Sequence, residues 1–381
     1  MSHRRLKLTA AVTAGAVVVA GGLFWLSGGW DEWRHDRALD SACDGTLAAE
    51  AVRDLVGGAE VTAEIRQDDH GIRWWQCRVG EVDDDADGRI DVRVTVSELA
   101  DRFADVEASA TDAPLGHGWT GGFAFDPDAD SDDRGEATAS LFLACDNDKA
   151  GDRTGGTAGA EAGDEAGDEA GDEAGGGFAA EASARIDRAA DFGRPEARAA
   201  LVGVLTRTAA AYARQQGCEV TEGTPVREVG VSVNAWDHRP FGSVSGSCAG
   251  ILDAPTAARW GVRTAVETLA GPKPQEGCTL GGLKGAPLYT FTASYGPALH
   301  RVVEDRLEDL PTADGPTDAP DGRYVLWADC AHAPTRAVYE VSPAGDRLAL
   351  DQPALRAALK SFATRSAKAH GCTLGKARGG A

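Results

Sequence analysis

The chain has 381 residues, a length that favours two domains over one. Its formal charge of −22 at pH 7 repels phosphate backbones, which argues against nucleic acid as a partner and against docking of the folded body on an anionic membrane. The hydrophobic fraction of 43% is close to that of ordinary globular proteins, so a packed core is expected.

The first predicted element is a transmembrane helix over residues 8–30. This segment carries no charged residue and, at about 1.5 Å per residue, is long enough to cross a hydrocarbon core of about 30 Å. Basic residues in the segment 1–7 precede it, so 1–7 is predicted to be a cytoplasmic tail and the bulk of the chain to lie outside the cytoplasm. A cleaved signal peptide is the alternative, and the chain would then be secreted.

All eight cysteines follow this apolar segment, and an even number in an oxidising compartment predicts disulfide bonds. No C-x-x-C motif is present, so the spacing does not favour a zinc site. The predicted disulfide cysteines are Cys43, Cys77, Cys145, Cys218, Cys248, Cys278, Cys330 and Cys372.

A repeated heptapeptide indicates an internal repeat. PEARAAL at 195–201 and PALRAAL at 353–359 each predict a helix that starts with Pro and ends before a Gly-Cys pair, at about Gln216 and at Gly371. A buried strand is predicted before each helix, at SLFLAC and at YVLWADC.

The front halves of the two repeats match more weakly. CDGTL and CAGIL are each expected to lead into a helix, at about 47–56 and about 256–270. Alternating strands then follow at 89–97 and 287–295. The Gly/Ala/acid-rich run 151–177 is interpreted as a disordered insertion in the first repeat, because it cannot bury a core.

The predicted fold class is therefore α+β. The transmembrane helix would be followed by two homologous disulfide-bonded domains, at 36–224 and 225–381, each an antiparallel sheet with helices on one face. Of the three pairings possible in each domain, we expect the cysteine after the long helix to bridge the first strand. That choice predicts the pairs Cys77–Cys218, Cys278–Cys372, Cys43–Cys145 and Cys248–Cys330.

One acidic loop resembles part of an EF-hand calcium loop, with Asp83, Asp85 and Asp87 as the candidate ligands. The position that should supply a bidentate Glu is Val94, and no helices flank the loop. A solvated Asp-Gly hairpin turn is the favoured interpretation, so no metal site and no cofactor are assigned.

Two further residues have competing interpretations. Cys248 lies in a G-x-C-x-G sequence that resembles a nucleophile elbow, although a disulfide is favoured there. Trp119, flanked by glycines, is the candidate binding aromatic. No catalytic residue is assigned, because no short catalytic motif is present.

CDGTL at 43–47, followed by a predicted helix and by WQC at 75–77, resembles secreted or membrane-anchored actinomycete proteins in which Cys-bearing helix–strand units occur in tandem. The resemblance implies an envelope location and supplies no functional residues.

The expected function is that of a non-enzymatic binding or interaction module of the cell envelope. It would be held in the membrane by residues 8–30 and would act on an envelope protein or ligand. A secreted hydrolase without a recognisable motif and a calcium-stabilised adhesion or spacer module are the two alternatives.

Overall fold

The computed structural model describes two units of mixed α and β structure, which we call the first unit (37–233) and the second unit (237–375). The residues described are 37–57, 59–67, 74–81, 90–98, 112–125, 136–145, 177–186, 192–233, 237–269, 273–295, 307, 310–315, 318–330, 337–344 and 351–375. The predicted tail and transmembrane helix, 1–30, lie outside them. Within the described ranges no helix combines the length and the apolar character needed to cross a membrane.

The described residues of the first unit form one antiparallel sheet with a short and a long helix. The sheet has the strand order β1-β2-β3-β7-β6-β5-β4; the long helix packs on its central strands β3, β7 and β6, and the short helix packs on the long one. The elements are α1 (Ala49–Val56), β1 (Val61–Gln67), β2 (Trp74–Glu81), β3 (Ile90–Glu98), β4 (Ala113–Gly116), β5 (Trp119–Ala124), β6 (Glu136–Ala144), β7 (Gly177–Ile186) and α2 (Pro195–Gln215).

The second unit also contains one antiparallel sheet, with the order β14-β12-β13-β11-β10-β9-β8. Its long helix packs on the strands that lie between β14 and β10 in that order. The elements are β8 (Arg239–Pro240), α3 (Ala254–Trp260), β9 (Thr264–Glu267), β10 (Gln275–Gly281), β11 (Pro287–Tyr295), β12 (Tyr324–Cys330), β13 (Ala337–Pro343), α4 (Gln352–Ala369) and β14 (Cys372–Leu374).

Five strands have the same order in the two sheets. β1-β2-β3-β7-β6 corresponds to β9-β10-β11-β13-β12, since in each case a short helix precedes the first strand and a long helix follows the fourth in this order. Alternate residues of these strands face a buried core, as in Val92, Val94 and Val96 of β3. The predicted α+β class with two antiparallel sheets is thus confirmed.

The repeated heptapeptide places an arginine at the same point of each long helix. The Arg198 guanidinium in α2 donates to the backbone oxygens of Val229 (2.8 Å), Phe192 (2.8 Å) and Gly193 (2.9 Å). The Arg356 guanidinium in α4 donates to the backbone oxygen of Gly315 at 3.0 Å and lies over the ring of Tyr324. In both units the arginine ties a loop to the start of the helix.

The eight predicted disulfide cysteines are confirmed as four disulfides, two in each unit, but the predicted pairing is wrong. The pairs are Cys43–Cys77, Cys145–Cys218, Cys248–Cys278 and Cys330–Cys372.

A chain reversal after each long helix explains the error. Gly217 and Gly371 have φ angles of 79° and 66°, a left-handed conformation that glycine adopts at little cost. The chain therefore reverses direction after each long helix. In the second unit it then forms β14 alongside β12, where Cys372 lies directly opposite Cys330. Sequence spacing alone does not reveal this reversal, which is why the predicted partner of the cysteine after each long helix is wrong.

The segment that joins the units lies on the first unit. Thr224 N donates to His117 O at 2.8 Å, the Ser232 hydroxyl accepts from Phe125 N at 2.9 Å, and Val229 is buried in the first core. The boundary predicted at 224/225 therefore falls inside a segment that packs on the first unit.

Two predicted elements differ from the structure. The helix expected over about 256–270 ends at Trp260, because Gly261 adopts a φ of 74° and the chain then enters strand β9. The predicted insertion 151–177 overlaps β7 at Gly177, and its other residues lie outside the described ranges.

Candidate functional site

The second unit buries a cluster of polar and ionisable side chains between the end of its long helix and its sheet. Glu276 comes from β10, two residues before Cys278, and its side chain faces the core. Ser366 comes from the last turn of α4, and His370 is the residue that caps its C-terminal end, just before Gly371 and Cys372. We call Glu276, Tyr295, Tyr339, Ser366 and His370 the buried polar cluster.

The Glu276 carboxylate is the centre of the cluster. One oxygen accepts from the Ser366 hydroxyl at 2.5 Å, and the other lies 2.8 Å from Nε2 of His370. The side chains of Glu276 and His370 are only 8% and 6% exposed, so the pair is largely removed from water. Burying a charged group this deeply is costly unless partners of this kind surround it.

Two tyrosines complete the cluster from the sheet. The Tyr295 hydroxyl lies 2.5 Å from Ser366 Oγ and 3.2 Å from the Tyr339 hydroxyl. The Tyr295 ring stacks on the His370 imidazole with 3.7 Å between the ring centroids. Burial raises the pKa of both phenols above the ordinary value, and the nearby Glu276 carboxylate adds to the rise.

Lys273, three residues before Glu276 in the chain, contacts the first unit. Its side chain is fully buried, and Nζ donates to the backbone oxygen of Asp112 at 2.5 Å. Burial lowers the pKa of Lys273 to about 8, while the carboxylates of Asp112 and Glu276 act in the opposite direction. This contact joins the residues just before β10 to the residue just before β4 in the first unit.

The corresponding positions of the first unit are aromatic. Trp75 lies two residues before Cys77, as Glu276 does before Cys278, and Tyr212 lies six residues before Cys218, as Ser366 does before Cys372. The Trp75 and Tyr212 rings pack with centroids 5.1 Å apart. Two packed aromatic rings in the first unit therefore occupy the positions that Glu276 and Ser366 occupy in the second unit.

The hydrogen-bond pattern decides what chemistry this cluster can perform. Ser366 donates to Glu276 and not to His370, so the imidazole is not placed to activate the hydroxyl as a nucleophile. Every polar atom described above has a partner within the cluster, and all five side chains are buried. The arrangement ties the end of α4 to the sheet through buried hydrogen bonds.

Trp119, the candidate binding aromatic, is buried. It is 5% exposed, and its indole N–H donates to the backbone oxygen of Thr224 at 3.0 Å. The ideal Cβ position of Gly223 lies 2.7 Å from the indole nitrogen, so the absence of a side chain at Gly223 makes room for the ring. In this structure the ring anchors the joining segment and offers no open face to a ligand.

Cys248 is fully buried in its disulfide with Cys278, so the cysteine-nucleophile interpretation is wrong. The surrounding loop is held by Glu267, whose carboxylate accepts from the backbone N–H groups of Ser245 and Gly246 at 2.9 and 2.7 Å. The G-x-C-x-G sequence is therefore explained by a disulfide and a tight loop.

The candidate calcium ligands Asp83, Asp85 and Asp87 lie outside the described residues. Among the residues that the structure describes, no group of three or more His, Cys, Asp or Glu side chains is placed to hold a metal ion. The calcium loop therefore stays a prediction from the sequence.

A melting experiment tests this loop. If the three carboxylates hold calcium, we expect the melting temperature of the full-length protein to rise with calcium and to return after chelation, because binding to the folded state stabilises it. The triple variant Asp83→Asn, Asp85→Asn, Asp87→Asn should show no rise. A wild-type melting temperature that does not respond to calcium would exclude the site.

Sequence analysis could have found three members of the cluster only by aligning the two repeats at two places. One is the cysteine of β2 and of β10, and the other is the cysteine that follows each long helix. Trp75 then falls opposite Glu276, Tyr212 opposite Ser366, and Gln216 opposite His370. No local motif marks these residues, because Glu276 and His370 are far apart in the chain.

No family model matches this chain, and no curated protein or solved structure matches it.

An alkaline titration tests the burial of the phenols. Of the five tyrosines, Tyr212, Tyr295 and Tyr339 have a pKa raised by burial, so they should stay protonated in the folded protein at pH values where a free tyrosine ionises. Because the unfolded pKa is lower, the stability they contribute is complete below about pH 10 and falls as the pH rises further.

Phenolate absorbance should therefore keep rising as the far-ultraviolet circular dichroism of the folded protein is lost. In Tyr295→Phe the rise that accompanies unfolding should be smaller. Complete ionisation of the tyrosines before unfolding would contradict the buried cluster.

Proposed function

We propose that the protein is a non-enzymatic binding module of the cell envelope, with both units outside the cytoplasm and residues 8–30 as the anchor. The observation that carries the proposal is that all eight cysteines form disulfides, each within one unit. Such bonds persist in oxidising compartments and are rare in the cytosol. The uncharged segment 8–30 is long enough to supply the anchor.

We further propose that the two units arose by duplication of one α+β unit. Three features support this origin: the common order of five strands, the matching order of the disulfides along the chain, and the arginine that the heptapeptide supplies to each long helix. A duplicated scaffold provides two related surfaces on one anchor, which suits a protein that binds a partner.

The hydrogen bonds of the buried polar cluster favour a binding role over catalysis. The buried polar cluster satisfies its own hydrogen bonds, and the hydroxyl of Ser366 is bound to a carboxylate instead of a base. If this is right, purified protein should not turn over ester, peptide or glycoside test substrates. Turnover that disappears in Ser366→Ala would contradict the proposal.

The location is tested with the full-length protein in cells. A phosphatase that folds only outside the cytoplasm is fused to the C-terminus, and thiols are alkylated before and after reduction. The expected result is an active fusion in the membrane fraction with thiols blocked until reduction. Deletion of residues 8–30 should leave an inactive fusion with free thiols; the same outcome for the intact chain would overturn the proposal.

The binding role is tested by photo-crosslinking in intact cells. A photoreactive residue is placed at exposed positions in each unit, with Arg93 and Arg259 as the first pair, and at the fully buried Val52 as the matched control. A discrete adduct from an exposed position and none from Val52 is the expected result. A scan of exposed positions across both units that gives no adduct would count against binding.

A further inference from the structure

Strand β1 lies at one edge of the first sheet. All seven of its residues, Val61–Gln67, pair with β2, and in the part of the chain that the structure describes no strand pairs with its other side. The outer side of an edge strand presents backbone N–H and C=O groups to any extended chain that reaches it. This edge is therefore a surface to which another strand can be added.

The second unit covers the equivalent edge. Its strand β9, which corresponds to β1, pairs with β10 on one side and with β8 on the other, where Arg239 lies opposite Ala265. Just after β9, the backbone oxygen of Thr268 accepts from the Ser247 N–H at 3.2 Å. Within the described residues, the two units thus differ in whether this edge of the sheet has a partner.

Two side chains of opposite charge lie on the solvent face of β1. Glu64 and Arg66 are 56% and 54% exposed, and the Arg66 guanidinium donates to Glu64 Oε1 at 2.9 and 3.1 Å. Side chains alternate between the faces of a strand, so both point away from Ile65, which packs against the core. An exposed pair of this kind contributes little within one chain, and both charges can pair with a second strand.

An antiparallel register centred on Ile65 makes two copies of β1 complementary in charge. When Ile65 lies opposite Ile65 of a second copy, Glu64 of each copy lies opposite Arg66 of the other. Opposite charges at such positions attract, and like charges repel. A register centred on Glu64 instead would place two carboxylates opposite each other.

We propose that the protein forms a symmetric dimer in which β1 of two copies pairs antiparallel about Ile65, so that the two first-unit sheets become one. A second copy is the partner because the strand carries its own charge complement. Such a contact uses the same surface on both copies and is closed by a two-fold axis, so no further β1 edge is left open. The dimer does not depend on the proposed binding role, since it needs no other molecule.

Sedimentation of the full-length protein in a mild detergent tests the dimer. The wild type should sediment as a dimer that dissociates on dilution. In Glu64→Arg the register sets two positive charges opposite each other, and in Arg66→Glu two negative charges. Each variant should therefore have a dimer dissociation constant at least about tenfold higher than that of the wild type.

A mixture of the two single variants separates loss of charge complementarity from loss of folding. Glu64→Arg supplies a strand with two positive charges and Arg66→Glu a strand with two negative charges, so the mixture should form a heterodimer. The double variant Glu64→Arg, Arg66→Glu should also dimerise again, because its strand is once more complementary to itself. Misfolded variants would recover in neither case.

Arg185→Glu is the matched control. Arg185 is 64% exposed, pairs with Glu136 and lies on β7 in the middle of the sheet, and its replacement changes the net charge as much as Arg66→Glu does. It should leave the dissociation constant unchanged. An equal effect of Arg185→Glu and Arg66→Glu would overturn the proposal, because net charge would then account for the loss.

Three other results would also overturn the dimer. The first is a wild type that sediments as a monomer at every concentration. The second is a dimer that both single variants leave unchanged, because another surface would then hold it. The third is a mixture of the single variants that associates no better than either variant alone.

Discussion

Replacing Arg198 by Met is expected to lower the free energy of unfolding of the first unit by about 3 kcal/mol or more. The guanidinium is buried and bonds the backbone oxygens of Val229, Phe192 and Gly193, so its removal leaves these acceptors without that partner. The loss should appear in the urea transition and as faster hydrogen exchange over residues 226–232, because the bond to Val229 holds that segment.

Arg207→Met is the matched control on the same helix. Arg207 is about half exposed and pairs with Glu50 at 3.2 Å, an interaction that contributes little in water. Its loss should change the free energy of unfolding by no more than about 0.5 kcal/mol. Equal effects of the two substitutions would show that the carbonyl contacts of Arg198 are not what holds the segment.

Removal of the Cys145–Cys218 disulfide should have the second large effect. The bond joins two cysteines that are 73 residues apart in the sequence. In the variant Cys145→Ala, Cys218→Ala the free energy of unfolding should fall by about 4 kcal/mol, because the unfolded chain regains conformational freedom. Urea unfolding under oxidising conditions measures this loss. Peptide mapping without reduction should find the three remaining pairs intact.

The same comparison under strong reductant separates bonding from packing. With all disulfides reduced, the wild type and the double alanine variant should have nearly the same free energy of unfolding. A difference as large as that under oxidising conditions would mean that the lost sulfur contacts, and not the bond, account for the effect.

The long helices and the alternating strands could be predicted because their signals are local. Pro195 begins α2, and PLYTFTASY at 287–295 coincides with β11, since the alternation of apolar residues matches the pleat of a strand. The even number of cysteines, together with their position after the apolar segment, predicted disulfides that the structure confirms.

The pairing and the polar cluster could not be predicted in the same way, because both depend on where distant segments meet. Cys372 reaches Cys330 only after the reversal at Gly371, and Glu276 reaches His370 only once α4 lies on the sheet. The strand β9 was missed for a local reason. Its four residues are too few for a clear alternation and begin only a short turn after the end of α3.

The joining segment determines how the first unit can be isolated as an independent folding body. A fragment that stops at residue 224 would lose Val229 from its core and the Ser232 hydroxyl that bonds Phe125. A fragment extended to residue 233 keeps both. The stretch up to residue 233 is thus a structural part of the first unit, and a fragment meant to fold alone has to include it.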